Sequence, residues 1–562
     1  MKKLTLIICT SFLFLNCSEK KEKVIGLITD QAMVVSARKE ASKIGKEIMA
    51  QGGNAFDAMF ATELALAVSY PQAGNIGGGG FMVYRLNTGE TGALDYREKA
   101  PLAAHKDLYL DENGEIIDGK STYGAMAIGV PGTIAGIFEV HKKFGTLPVE
   151  QLIQPAIDLA RTGLVLSERQ AKQYNSLQTR ITDANNYKTH FESNVWQAGD
   201  TLRFEKLANT LERIQKNGRD EFYKGETATL IVNYVQELGG IITEEDLARY
   251  EAKWREPISF DYKGHKITSM TLPSSGGICL AQILKGIELY DLSDIKHNST
   301  EYIQLITEAE RRAYADRAHF LGDMDFIDVP IDSLIDDQYI QRRMSDFSWK
   351  RATPSSELNH GNILGYESDE TTHYSIIDQF GNAISATTTL NGAFGSKLYC
   401  SELGFFLNNE MDDFSSKPGV PNMFGLIGSK ANSIQPGKRM LSSMTPTIVL
   451  KDDKLFMSVG TPGGSTIITS VLQTILNVHE FGMSMQEAVD APRFHHQWLP
   501  DIIRMEPNSF NQELILALKN KGYIINEKES RIIGKVDGIM VLDDKRLEGG
   551  ADHRGDDTAV GF

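Results

Sequence analysis

The chain has 562 residues, of which 41% are hydrophobic and 23% are charged, and its formal net charge at pH 7 is −16. A chain of this length buries a large core and exceeds the usual size of a single domain. The acidic balance, without a basic run carrying interleaved aromatic residues, argues against binding of nucleic acid or anionic lipid through charge and favours small-molecule chemistry.

The first 17 residues have the pattern of an export signal. Two lysines precede an apolar run, Leu4 to Leu15, that is too short to span a bilayer. Cys17 follows this run and resembles the lipid-attached cysteine of bacterial lipoproteins; the alternative is a plain secretory signal in which Cys17 has no role. Both interpretations predict an exported, periplasmic protein, and the first adds a membrane anchor. Residues 18–30 are predicted to be a linker.

Two cysteines, Cys279 and Cys400, remain beyond this segment. They are far apart and lie in apolar surroundings, so the sequence predicts two buried free thiols. No CxxC spacing is present, and no metal site is expected.

In the first half of the chain, Asn54 is a candidate cap for the segment AFDAMFATELALAV. This segment is apolar nearly all round, which predicts a buried helix. It leads into NIGGGGFMVY, Asn75 to Tyr84, whose four consecutive glycines predict tight backbone packing at the start of a strand. A phosphate-binding loop is the competing interpretation, but no GxxxxGK[ST] pattern follows.

The next strand, in GALDYREKAP, places Arg97 near its end, where a lone arginine is usually a surface charge. Residues 125–250 are mostly helical in pattern and carry no chemical motif. The segment EYIQLITEAERRAYADRAHF reads as a long helix with its Arg and Glu side chains in solvent. No Pro-rich linker or repeat divides the chain, which predicts one composite domain of layered strands and helices.

A β-hairpin is predicted within Gly365 to Gly395. Two alternating segments, Thr371 to Asp378 and Asn382 to Leu390, are joined by a three-residue loop with Gly381 in the left-handed position. If Asp378 faces Asn382, the register places Thr371 opposite Thr389 with Cβ atoms roughly 5 Å apart.

Thr371 is the candidate nucleophile in this hairpin. His373 shares its face, but Cβ atoms two positions apart on a strand lie roughly 6 to 7 Å from each other, a poor distance for proton transfer. A cut before Thr371 would place an α-amine on the same residue as the hydroxyl. Its pKa of about 7.7 suits a base at neutral pH.

Three later segments carry polar groups with open interpretations. LNNEMDDF, Leu407 to Phe414, has enough carboxylates to hold an ammonium group or a cation, or is a solvated turn. The hydroxyl pair in LSSM is of a kind that usually caps local structure. In GTPGGS, two glycines precede Ser465 as a candidate N-cap, so their amides would receive developing negative charge or simply form a tight turn. His495 and His496 would point to opposite faces of an extended segment and are interpreted as structural.

Several of these segments together resemble the γ-glutamyltranspeptidase family of N-terminal nucleophile hydrolases. The motifs are GGNAFDA, NIGGGGFM, YREKAP, GVPGT and PSSGG in the first part and TTHYS, TTTLNGAFG, LNNEMDDFSSKPGVPN, LSSMTPTIV, GTPGGS and APRFHHQWLP in the second. The resemblance runs from about residue 25 to the C-terminus. It implies an α+β fold, a four-layer αββα sandwich. It also implies self-cleavage between Glu370 and Thr371 into a large subunit, 31–370, and a small subunit, 371–562, which form a heterodimer.

The resemblance implies a role for each matching residue. Thr371 would be the nucleophile, with Thr389 hydrogen-bonded to it, and the amides of Gly463 and Gly464 would form the oxyanion hole. The substrate's α-carboxylate and α-ammonium would be held by two sets of side chains: Arg97, Ser442 and Ser443 for the first, and Asn391, Glu410 and Asp413 for the second.

The implied activity is transfer of a γ-glutamyl group from glutathione or a related compound to water, an amino acid or a dipeptide, without cofactor or metal. Other functions of the fold, β-lactam side-chain acylase and poly-γ-glutamate depolymerase, are alternatives, as is an exported binding protein without catalysis. Phe424 departs from the family pattern, because many members with a lid loop have Tyr there. A lid hydroxyl bond towards Asn391 is therefore expected to be absent.

Overall fold

The computed structural model describes residues 23–185, 187–192, 195–358, 371–528 and 532–562. Within these residues, the α-helices are α1 Lys39–Ala50, α2 Ala55–Ser69, α3 Thr133–Phe144, α4 Val149–Thr162, α5 Glu168–Ala184, α6 Glu205–Asn217, α7 Arg219–Lys224, α8 Glu226–Glu237, α9 Glu244–Ala248, α10 Gly276–Glu288, α11 Thr300–Phe320, α12 Ile331–Leu334, α13 Asp337–Met344, α14 Thr466–His479, α15 Met485–Asp490 and α16 Gln512–Asn520.

The strands are β1 Leu27–Thr29, β2 Met33–Ser36, β3 Gly79–Arg85, β4 Thr91–Asp95, β5 Leu164–Val165, β6 Thr201–Leu202, β7 Lys253–Arg255, β8 Ile258–Tyr262, β9 His265–Ser269, β10 Thr372–Ile377, β11 Ala383–Thr389, β12 Tyr399–Cys400, β13 Phe405–Phe406, β14 Thr447–Lys451, β15 Lys454–Gly460, β16 Phe494–His495, β17 Ile503–Met505, β18 Ile525–Asn526, β19 Asp537–Val541, β20 Leu547–Ala551 and β21 Thr558–Gly561.

Two large antiparallel sheets form the centre of the molecule. In the described part of the chain one has the order β1-β20-β19-β15-β14-β9-β8 and the other β21-β2-β10-β11-β3-β4-β7. The second sheet contains strands from before and after residue 371, and β2 pairs with β21 on one edge and β10 on the other. Neither part of the chain forms this sheet alone.

The two sheets pack face to face, with helices on both outer faces. An apolar core between the sheets includes Val35, Phe81, Ile448 and Ile539. Helices α1 and α2 cover one sheet, and α10, α11 and α14 cover the other. The structure therefore has four layers in the order αββα, which confirms the predicted fold class.

Helix α2 is buried at every position, as its all-round apolar pattern predicts. Its cap is also as predicted: the side chain of Asn54 accepts hydrogen bonds from the amides of Phe56 and Asp57. The glycine run after it packs tightly, since a Cβ on Gly78 would lie 2.1 Å from the carbonyl oxygen of Thr389. This contact brings the backbone at the start of β3 against the end of β11.

Helix α11 differs from the prediction. Its charged side chains, among them Glu308, Arg311, Arg312 and Arg317, are buried rather than solvated. Arg312 forms an ion pair with Glu308 one helical turn away, at 2.7 Å. The pattern misled because ion pairs within the helix and with neighbouring loops satisfy the charges of Glu308, Arg311 and Arg312 in the interior.

Candidate active site

The hairpin that carries Thr371 has the predicted register. Thr372 pairs with Thr388 and Ile377 with Ala383, and Gly381 has a left-handed φ of +88°. Thr371, one residue before β10, therefore lies opposite Thr389. The hydroxyl oxygens of these two threonines are 3.3 Å apart, and both side chains are buried.

A small cavity opens beside Thr371. Its lining residues come from strand β11, from helices α11 and α14, and from the segments between the regular elements. They are Arg97, Arg317, Thr371, Thr389, Asn391, Glu410, Asp413, Phe424, Leu426, Ser442, Ser443, Met444, Gly464 and Ile467. Apart from Glu370 and Cys17, which lie outside the described residues, every predicted site residue except Gly463 lines this cavity. Gly463 is adjacent in sequence to the lining residue Gly464.

Arg97 lies among carboxylates at one side of the cavity. Its side chain is 1% exposed, so the surface-charge interpretation of the pattern alone is wrong. Nη1 lies 2.6 Å from Glu410 Oε2 and 3.5 Å from Glu98 Oε2, and Nη2 donates a hydrogen bond to Asp413. Each terminal nitrogen of Arg97 therefore already has a carboxylate partner.

Burial shifts the ionisation of these carboxylates. It raises the pKa of Glu410 well above its usual range and that of Glu98 to about 8, although the charge of Arg97 opposes both shifts. The pKa of Asp413 is also raised by burial. An added cation in the cavity would stabilise the charged forms, so the site is suited to an ammonium group.

Asn391 faces the same carboxylates from the end of β11. Its backbone adopts a left-handed φ of +72°, and its amide N–H donates to Thr389 Oγ1 at 2.8 Å. Its side-chain nitrogen donates to the carbonyl of Asn409 at 3.0 Å and lies 3.6 Å from Sδ of Met423. The thioether of Met423 thus contacts Asn391 next to Phe424, which has no hydroxyl to offer.

The loop over the cavity, residues 415–430, is held by two aspartates. Asn422 donates through Nδ2 to Asp413 Oδ1 at 3.0 Å, and the amide of Met423 donates to Asp412 Oδ2 at 2.8 Å. The next residue, Phe424, is buried and lines the cavity. We refer to this loop as the lid.

Ser442 and Ser443 also line the cavity. The loop that carries them is fixed by Ser275, whose amide and hydroxyl both donate to the carbonyl of Ser442, at 2.8 and 2.7 Å. Ser442 Oγ accepts from the amide of Met444 at 3.1 Å, and Ser443 Oγ accepts from Arg317 Nη2 at 3.2 Å. Each serine hydroxyl accepts one bond and so retains its own proton to donate.

The two glycines lie at the start of α14. Gly463 and Gly464 have left-handed φ values of +136° and +52°, which glycine adopts without strain. Ser465 occupies the N-cap position as predicted, but its side chain makes no capping bond. Among the described residues, neither glycine amide has a hydrogen-bond acceptor, so both remain free to stabilise an anion near the positive end of the helix.

The histidines lie elsewhere. His373 Nδ1 contacts Thr387 Oγ1 at 2.9 Å, and Nε2 contacts Ser375 Oγ at 3.1 Å. Burial lowers the pKa of His373 to about 3. His373 is thus unsuited to act as a base at neutral pH. His495 contacts Thr469 at 2.9 Å and His496 contacts Asp501 at 3.2 Å, which confirms that the two rings point apart.

Arg317 is the lining residue that pattern analysis missed. It lies in the last turn of α11, which was interpreted as a solvated charged helix. Hydrophobic periodicity gives no signal for it, because a charged residue on a helix normally faces water. Glu370 and Cys17, the remaining predicted functional residues, lie outside the described residues. Cys279 and Cys400 are buried free thiols, as expected.

The comparison with known proteins decides the family. A sequence model of the gamma-glutamyltranspeptidase family matches residues 41–562. The chain belongs to this family.

Individual relatives of this chain support its assignment to the γ-glutamyltranspeptidase family. The glutathione hydrolase proenzyme of Escherichia coli (strain K12) is 45% identical over 536 residues, covering 95% of this chain and 92% of the relative. The crystal structure of Helicobacter pylori gamma-glutamyltranspeptidase is 42% identical, with a TM-score of 0.56, and covers 61% of this chain and 96% of its own. The cephalosporin acylase of Bacillus halodurans, at 23% identity, shares the fold with a TM-score of 0.84 over 99% of both chains.

Proposed function

We propose that this protein is a γ-glutamyl transferase and glutathione hydrolase. The observation that carries the proposal is the arrangement around Thr371. A buried hydroxyl lies beside one cavity that offers carboxylates on one side and serine hydroxyls with an arginine on the other. A substrate with an α-amino acid end, carrying one ammonium and one carboxylate, has the charge pattern that this cavity complements.

Maturation would create the base. The hydroxyl of Thr371 attacks the carbonyl carbon of Glu370, the C–N bond breaks, and an ester links the two parts until water hydrolyses it. Glu370 then ends the large subunit, and Thr371 begins the small subunit with a free α-amine. An amine of this type has a pKa of about 7.7 and accepts the proton of the Thr371 hydroxyl at neutral pH.

Catalysis would use the same hydroxyl. Thr371 attacks the γ-carbonyl of the donor, and the amides of Gly463 and Gly464 bind the resulting oxyanion. The amine of the leaving group takes a proton as its C–N bond breaks, which leaves a γ-glutamyl ester on Thr371. Water or the amine of an amino acid or dipeptide then attacks this ester and releases Thr371.

The remaining residues would position the donor. Arg97, Ser442 and Ser443 are proposed to bind the α-carboxylate, and Asn391, Glu410 and Asp413 the α-ammonium, while Thr389 holds the nucleophile. The carboxylates that contact Arg97 in the structure would then be shared between the guanidinium and the substrate ammonium. An acyl group without this ammonium, as in a β-lactam side chain, would leave Glu410 and Asp413 without their partner, which favours a γ-glutamyl donor.

The test is Thr371→Ala compared with Thr371→Ser. The alanine variant is expected to remain one uncut chain by mass spectrometry and to release no anilide from a γ-glutamyl anilide. The serine variant retains the hydroxyl and is expected to be cut and active at a reduced rate. Adding a dipeptide acceptor to the wild-type assay separates transfer from hydrolysis. An alanine variant that is still cut before residue 371 would falsify the assignment.

We also propose that the protein is exported and that a lipid on Cys17 anchors it to a membrane. The support is the apolar run Leu4 to Leu15 with Cys17 shortly after it. Separately, none of the helices in the described residues is long and apolar enough to cross a bilayer. Cys17→Ala, expressed with a labelled fatty acid, is expected to lose the label and to leave the membrane fraction. A labelled Cys17→Ala chain would exclude this anchor.

A further inference from the structure

Arg317 is a buried cation in the cavity wall. Among the described residues the carboxylate of Asp413 attracts it, but from beyond ion-pair distance. Its side chain is 4% exposed. In the described part of the chain, no carboxylate oxygen lies within 4 Å of its nitrogens, whereas Arg97 contacts Glu410 and Asp413. Burial lowers the pKa of the Arg317 guanidinium. A buried charge of this kind is unfavourable unless an anion joins it.

The bonds that Arg317 does make lead to the serine loop. Nε donates to Ser275 Oγ at 2.9 Å, and Nη2 donates to Ser443 Oγ at 3.2 Å. Nη1 has no hydrogen-bond partner among the described residues. Because the hydroxyl oxygen of Ser443 accepts a hydrogen bond from Arg317, the hydroxyl proton of Ser443 points to a different acceptor. Ser443 also lines the cavity. Arg317 therefore orients the hydroxyl of Ser443 to donate a hydrogen bond to a ligand in the cavity.

We propose that Arg317 is a positioning residue for the α-carboxylate of the donor, acting through Ser443 and through its own unbalanced charge. Both terminal nitrogens of Arg97 contact carboxylates, so its charge is already matched by Glu410 and Asp413. Arg317 supplies the positive charge that a substrate carboxylate would balance. This inference rests on the proposed γ-glutamyl function, because it assumes a substrate with an α-carboxylate.

Two donors that differ only in this carboxylate test the inference. γ-Glutamyl anilide carries it, and 4-aminobutyryl anilide has the same acyl chain and amine without it. For Arg317→Gln, the KM for the γ-glutamyl donor is expected to rise about 10- to 100-fold, the range for loss of a charged hydrogen bond, with kcat nearly unchanged. The kcat/KM for the 4-aminobutyryl donor is expected to stay as in the wild type. An equal loss for both donors, or no loss for either, overturns the proposal.

Arg317→Lys provides the second variant. Lysine retains the charge but cannot reach Ser275 and Ser443 together, so an intermediate KM for the γ-glutamyl donor is expected. If Arg317→Gln does not fold, the lysine variant alone tests the proposal. A loss of kcat/KM confined to the γ-glutamyl donor would support it, and an equal loss for both donors would overturn it. Ser275→Ala removes the other bond of Arg317 and one bond to the loop that carries Ser442 and Ser443. Its KM for the γ-glutamyl donor is therefore expected to rise as well, whereas its kcat/KM for the 4-aminobutyryl donor is expected to stay as in the wild type.

Failure of the proposed function gives a different result. If wild-type protein releases no anilide from the γ-glutamyl donor, that function is wrong, and calorimetry then tests Arg317 separately. Wild-type protein is expected to bind L-glutamate more tightly than 4-aminobutyrate, and Arg317→Gln is expected to remove that preference. A preference that survives the substitution overturns the role of Arg317 whatever the reaction.

Discussion

The ring of Phe424 lies against the α-carbon of Gly464. A Cβ built on Gly464 would be 2.6 Å from Cδ1 of this ring, closer than real Cβ contacts come. The lid therefore touches the backbone whose amide is proposed to bind the oxyanion. Only glycine allows this contact together with the left-handed φ of +52°.

Gly464→Ala is expected to lower kcat/KM strongly while the chain still folds. The added methyl group displaces either the lid or the amide, and removal of one oxyanion donor typically costs about 100- to 1000-fold in kcat. Steady-state assay of the γ-glutamyl anilide measures this. Gly482→Ala is the matched control, since Gly482 has a similar φ of +60° but nothing within 4 Å of its Cβ position. If both variants lost activity to a similar extent, backbone strain alone would explain the lower kcat/KM of Gly464→Ala.

Thr389→Val is expected to reduce kcat by about 10- to 100-fold with little change in KM. Valine has the shape of threonine, but it removes the hydroxyl that contacts Thr371 at 3.3 Å and accepts from the amide of Asn391 at 2.8 Å. Thr388→Val is the control, because that hydroxyl donates to the carbonyl of Gly79 instead. Equal kcat values for Thr389→Val and wild type would show that the facing hydroxyl does not assist the nucleophile.

Met423→Leu is expected to raise the KM of the donor about 2- to 5-fold, since leucine retains the volume but not the sulfur acceptor. The sulfur lies 3.6 Å from the side-chain nitrogens of both Asn391 and Asn409. Met324→Leu, at a site that is 41% exposed, controls for the loss of a methionine. An unchanged KM would mean that the bonds to Asp412 and Asp413 and the packing of Phe424 hold the lid without the sulfur contact.

Glu63→Gln is expected to change how stability depends on pH. Glu63 is fully buried, Tyr374 donates to its Oε2 at 2.6 Å, and burial raises its pKa from 4.5 to about 7. Between these values the folded chain retains a proton that the unfolded chain has lost, so wild-type stability falls as pH rises through this window. Glutamine has no such proton. From pH 4 to pH 8, the free energy of unfolding of the variant should therefore rise by about 3 kcal/mol relative to that of the wild type.

For a chain of this length, that change corresponds to roughly 2 to 3 °C in melting temperature. Calorimetric scans in the Thr371→Ala background at the two pH values would measure it on one intact chain. Glu301→Gln, at an exposed position, is expected to show no such change. A pH-independent difference between Glu63→Gln and its parent would contradict a raised pKa at Glu63.

The local structure of the site was predictable from sequence, and its long-range contacts were not. The facing positions of Thr371 and Thr389 follow from a two-residue period and a short loop, both of which are local properties. Arg97 and Asp413 are 316 residues apart, and no local pattern brings them together. Family resemblance assigned both residues to one substrate site, although it did not predict their contact. It supplied nothing for Arg317, because a buried arginine on a helix has the same periodicity as a solvated one.

The order of strands in the second sheet has a consequence for the protein after the proposed cleavage. Strand β2 lies between β21 and β10, so it is hydrogen-bonded on both edges to the part of the chain after residue 371. Once the peptide bond before Thr371 is broken, the two products can separate only by giving up both ladders together with the apolar layer between the sheets. Cleavage would thus release an amine without releasing a subunit. Each half made separately would lack the strands that the other contributes, so neither is expected to form this sheet by itself.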